Sequence, residues 1–108
     1  MIKDKAFLGT QPKYLIDIQA DGFDMDRDNF EVELKRGEVS KTFTKEDLPT
    51  EEYVVEGEVK NHYYVCFDTV DFGAGIVKVK VSMWIPDIDF PNGLRKIVDK
   101  FDLLIVEP

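Results

Sequence analysis

The segment Ile76-Val-Lys-Val-Lys-Val-Ser-Met-Trp84 places Val77, Val79, Val81 and Met83 on one side and Lys78, Lys80, Ser82 and Trp84 on the other. A period of two fits the pleat of a β-strand with one buried and one exposed face, and it does not fit a helix. The alternation recurs at Tyr14, Ile16 and Ile18 after Pro12, and again at Phe30, Val32 and Leu34, whose neighbours Glu31, Glu33 and Lys35 face outward. Helical periodicity nowhere runs beyond a single turn. The chain is therefore committed to sheets, each of which must bury one face against another layer.

Turn chemistry divides these strands. Lys35-Arg-Gly-Glu38 is a tight turn, with Gly37 free to take a positive φ, and Val39, Lys41 and Phe43 form the returning strand. Thr44 to Pro49 predicts one helical turn with Thr44 as its N-cap, stopped by the proline. Tyr53-Val-Val55 and Tyr63-Tyr-Val-Cys-Phe67, separated by Gly57 and Asn61-His62, predict a second hairpin. Asp68 to Gly75 is a turn-rich crossover into the Ile76 to Trp84 strand, expected to be the longest. The Pro86 to Gly93 loop then leads to Leu94 through Val106, read as one bent strand or two short ones. Seven to eight strands in 108 residues define one all-β domain spanning 1–108, an antiparallel immunoglobulin-like β-sandwich without the Cys-Trp-Cys signature of antibody domains.

Apolar residues make up 44% of the chain and charged residues 33%, enough of both for a packed core under a solvated surface. The 22 acidic against 14 basic residues leave a net charge of -8, which repels phosphate backbones and anionic headgroups, so neither nucleic acid nor membrane is an expected partner. Lysine and arginine read as scattered, at Lys35-Arg36, Lys78, Lys80 and Arg95-Lys96, with no basic stripe. The single cysteine, Cys66, permits no internal disulfide and reads as a small structural hydrophobe. Met1 to Leu8 lacks the apolar core of a signal peptide, so cytoplasmic synthesis without a leader is expected.

Two acidic loops raise the question of a cation site. Asp24, Asp26 and Asp28 have the D-x-D-x-D alternation that opens a helix-loop-helix calcium loop. Counting from Asp24, however, Asn29 stands where the turn glycine belongs and Lys35 where the closing glutamate belongs. A looser site would need these carboxylates to meet Asp87 and Asp89 at one end of the sandwich. The alternative is that the aspartates satisfy their own backbone in Asx-type turns, and that is the expectation.

Candidate chemistry elsewhere is thin. His62 is the only histidine, which leaves no His-based zinc set and no spare imidazole for a relay. Cys66 has no cationic neighbour to activate it. Gly73-Ala-Gly75 precedes a strand rather than a helix and so offers no phosphate cradle, and Glu51-Glu52 reads as solvent-facing. Trp84, Tyr63, Tyr64 and Phe90 are candidates for an aromatic platform, with Trp84 either at an interface or under the Pro86 to Pro91 loop. The expectation is a non-enzyme, with no catalytic, cofactor-binding or metal residues assigned and no cofactor. The alternative is a ligand-binding module for carbohydrate or a surface partner, assisted by calcium.

The stretch YYVCFDT, then FGAG before a long strand, then IPDIDFPNGLR resembles small prophage-encoded proteins of Bacteroides-type gut bacteria. Its plan is similar to the immunoglobulin-like N-terminal domains of phage baseplate upper proteins: an F-strand introduced by a D-T-x-x-F-G-x-G corner, a P-D/P-N-G loop and a last strand opening with arginine. KYLIDI, the DGFDMD turn and the FEVELKRG hairpin fit the same plan. The resemblance implies a structural or assembly role in a phage or prophage tail or baseplate, virion-associated. Its partners would be proteins of that assembly, self-association among them.

Overall fold

The computed structural model describes residues 4–108; the first three residues of the Met1 to Leu8 leader reading lie outside it. Eight strands follow in order: β1 (Asp4–Phe7), β2 (Lys13–Ile16), β3 (Phe30–Arg36), β4 (Val39–Thr44), β5 (Thr50–Val55), β6 (Glu58–Cys66), β7 (Gly75–Pro86) and β8 (Leu94–Glu107). They form a five-stranded sheet in the order β1-β8-β7-β3-β4 and a three-stranded sheet in the order β2-β6-β5. The layers meet over one core that draws Phe30, Val32, Leu34, Val77, Val79, Val81 and Leu104 from the larger sheet and Tyr63 and Val65 from the smaller. This is the β-sandwich the alternation demanded. Its strand order is that of an immunoglobulin sandwich: β2, β6 and β5 stand as strands B, E and D, and β8, β7, β3 and β4 as G, F, C and C′.

Both hairpins form. β3 and β4 pair from Glu31↔Thr44 to Arg36↔Val39, and β5 and β6 from Thr50↔Tyr63 to Val55↔Glu58. The second hairpin turns at Glu56-Gly57, where φ is 51° and 80°, so Asn61 and His62 lie within β6 rather than in a turn. Two successive positive φ values match the right-handed twist of the flanking strands, which is why the glycine decides the position. Thr44 caps the short 3-10 turn Lys45–Asp47, its backbone N–H and hydroxyl both donating to the Asp47 carboxylate. The crossover carries a second such turn, Thr69–Asp71, pinned by the fully buried Thr69. Its hydroxyl donates to the Thr10 carbonyl at 2.9 Å and accepts from the Gly9 N–H at 2.9 Å.

Three expectations are corrected. The longest strand is β8, at 14 residues against 12 for β7. It stays continuous because a bulge beside the Val77/Lys78 step drops Leu103 out of register instead of ending the ladder. β1 was not expected, because Asp4-Lys-Ala-Phe7 has no apolar alternation of its own; it forms against the edge that β8 offers, from Asp4↔Leu104 to Phe7↔Glu107. That pairing is parallel, so the sandwich is antiparallel everywhere except at its first strand. Tyr14 is tied to β1: burial first, and then the hydrogen bond to the Asp4 carboxylate, push its phenol up to about 12.

Candidate functional site

The Ala20 to Asn29 loop connects the two sheets, and its Asp24, Asp26 and Asp28 are spoken for by the protein. Asp24 Oδ1 accepts from the Asp26 N–H at 2.9 Å and the Arg27 N–H at 3.3 Å, an Asx turn. The Asp28 carboxylate is buried and accepts a two-pronged bond from Arg27, Nε at 2.9 Å and the terminal nitrogen at 2.8 Å, as well as the Asp24 N–H at 2.9 Å. Asp26 reaches across to β6, accepting from the Tyr63 hydroxyl at 2.8 Å, the Asn61 side-chain amide at 3.1 Å and the Asn61 N–H at 3.3 Å. The three carboxylates point to three different sets of donors.

The electrostatics agree with the geometry. The Arg27 guanidinium holds the Asp28 carboxyl below its usual range. For Asp26, burial pushes upward, but the hydrogen bonds from Tyr63 and Asn61 outweigh it and the carboxyl titrates low. Burial, and then the bond to Asp26, push the Tyr63 phenol upward.

In the second acidic loop, Asp87 Oδ1 accepts from the Asp89 N–H at 3.0 Å, and Arg95 lies 3.5 Å from its other oxygen. Among the described residues no three His, Cys, Asp or Glu side chains are grouped to hold a metal ion. Calcium at millimolar concentration is therefore expected to leave the thermal midpoint where chelator leaves it. A cation that bound the folded state would raise it by mass action, so a calcium-dependent rise would overturn this reading of the loop.

The other sequence candidates are dispersed. His62 stacks on Tyr53 with ring centroids 4.0 Å apart, beside an Asp26 already engaged by Asn61 and Tyr63. Cys66 is half-buried at the end of β6, and Glu51 and Glu52 are exposed on β5. The aromatic platform does not assemble. Tyr63 lies in the core against Phe30, whereas Tyr64 alternates to the opposite side of β6 under Lys13. Phe90 sits in the Pro86 to Gly93 loop. Trp84 is outside the core, half-buried on the outer face of the five-stranded sheet, with the Lys96 ammonium 5.4 Å from its ring centroid.

That outer face holds what sequence reading missed. Strand register sets Lys35 opposite Lys78 and Lys80 opposite Lys100, with Lys96 beside Trp84 further along the same face, beyond the Ser82 and Val98 row. Glu33 opposite Lys80 and Asp102, 4.0 Å from Lys78, offset part of this charge. Together with Lys35 these residues line a trough of about 550 Å³. Lysines far apart in sequence become neighbours only once the pairing of β3, β7 and β8 is known. Like charges directly opposite on adjacent strands are destabilising, so an acidic protein that places them there carries a local cost in its free state.

No family model, curated protein or solved structure matches the chain.

Proposed function

We propose that this protein is a non-enzymatic immunoglobulin-like assembly module whose five-stranded sheet docks an acidic protein surface. The observation that carries the reading is the lysine face: Lys35, Lys78, Lys80 and Lys100 stand as paired neighbours on the sheet face that further along carries Trp84, on a chain of net charge -8. An acidic partner relieves the repulsion among these lysines, and the tryptophan supplies the large amphipathic contact that interfaces favour. Glu31, Glu33 and Asp102 interleave with the lysines and lower the face's attraction for a polyanion, which favours a patterned protein surface over nucleic acid.

The setting we propose is a phage or prophage tail or baseplate particle, as the resemblance of the YYVCFDT, FGAG and IPDIDFPNGLR segments implies. Its Asp68 to Gly75 corner introduces β7, the strand in the F position. Sequencing the DNA beside the gene tests this setting: genes for tail-tube, tape-measure or portal proteins support it, and genes for sugar uptake or surface anchoring count against it.

A further inference from the structure

The sandwich is open along one flank. β2 pairs only with β6, and β8 meets β1 only over Leu104 to Glu107, so among the described residues no strand lies on the far side of β2 from β6 or on the far side of Leu94 to Leu103 from β7. In an immunoglobulin sandwich strand A completes the B-E-D sheet at this place. The side chains register the gap. Leu104 and Val106, on the inward side of β8 where β1 continues the sheet, are 1% and 2% exposed, yet Phe101, paired with Val79 on that same inward side, is 48% exposed. Between β2 and β8 runs a cleft of about 540 Å³ with Val65, Val79, Val81 and Met83 in its walls and Phe101 and Leu103 at its lip.

We infer that this flank accepts an extended segment of another protein, laid along β2, that alternates apolar residues facing the cleft with lysine or arginine facing out. Edge-strand addition draws affinity from main-chain hydrogen bonds and specificity from pockets for every second side chain. β2 is the receptive edge: Tyr14, Ile16 and Ile18 face inward and Leu15 is 52% exposed, whereas the open run of β8 is guarded by Lys96, Asp99, Lys100 and Asp102.

Charge selects the guest. Asp17, exposed just past the end of β2, and Asp99 at the opposite lip are the two charged residues that line the cleft, and both are acidic. A second copy would bring a net charge of -8 against -8, which opposes self-pairing here. The cleft and the lysine face meet at Phe101, but the charges that decide each lie on different residues, Asp17 and Asp99 here and Lys80 and Lys100 there, so either assignment can fail without the other.

The test uses the isotope-labelled chain and blocked peptides about seven residues long, a common strand length. One alternates valine and lysine, one alternates valine and glutamate, and one has the valines and lysines of the first in two separate blocks. The expected result is saturable movement of the Leu15, Asp17, Asp99 and Phe101 amide signals with the valine-lysine alternation, and at least about tenfold weaker binding of the other two. In the double variant Asp17→Lys, Asp99→Lys the preference passes to the valine-glutamate peptide. Equal binding of the block peptide would reduce the effect to bulk charge attraction and overturn the proposal. So would the absence of saturable binding, or sedimentation showing that the free chain dimerises through this flank.

Discussion

Replacing Phe30 with alanine lowers the thermal midpoint by more than about 12 °C, from a loss of about 3–5 kcal/mol at roughly 4–8 °C per kcal/mol for a domain of this size. Phe30 is 2% exposed and packs edge-on against Tyr63 at 5.4 Å and Phe23 at 6.2 Å. Truncation removes both aromatic contacts and leaves a cavity between the sheets that the strands cannot close without breaking register. It also removes the ring that orients Tyr63, the donor to Asp26, so the Ala20 to Asn29 loop loosens with the core. Denaturant unfolding with Trp84 as the fluorescent reporter checks the size of the loss. Phe30→Leu, which keeps most of the volume, is expected to recover more than half of it.

Replacing Asp28 with alanine costs about 1.5–3 kcal/mol, the range for hydrogen bonds made to a charged group. Its buried carboxylate receives three bonds, two from Arg27 and one from the Asp24 N–H. A pH dependence accompanies it. Asp28 and Asp26 both titrate lower in the folded protein than in the unfolded chain. Their ionised forms therefore stabilise the fold at pH values above the unfolded carboxylate pKa of about 3.9, and this contribution disappears as pH falls through the folded values. Stability is expected to be flat from neutrality to about pH 5 and to fall below about pH 4, with the acid limb shallower in Asp28→Asn. An acid limb of the same steepness in the variant would mean that other groups control it.

The sandwich was legible because a period of two survives burial on one face: Val77 to Met83 and Phe30 to Leu34 carry their orientation in their order. β1 was not, because a strand that exists by virtue of a partner's edge needs no pattern of its own. β8 looked breakable at Phe101 because sequence does not show that a one-residue bulge can absorb the change of phase. The same limit governs the surfaces. The aspartate turn could be weighed from local spacing, since its Asx bonds span two to four residues, but the Asp26 bond to Tyr63 crosses 37 positions and left no local sign. The lysine face and the β2 flank are products of register and strand order, and neither can be read from a single strand.

The measurement that bears most directly on an assembly role is the protein composition of particles induced from the encoding strain, purified on a density gradient and compared between the natural chain and Lys80→Glu, Lys100→Glu. The proposal predicts that the natural chain sediments with tail or baseplate proteins in fixed stoichiometry, and that the variant folds equally well but remains in the soluble fraction. A natural chain found only in the soluble fraction, or a variant incorporated as fully as the natural chain, would contradict it.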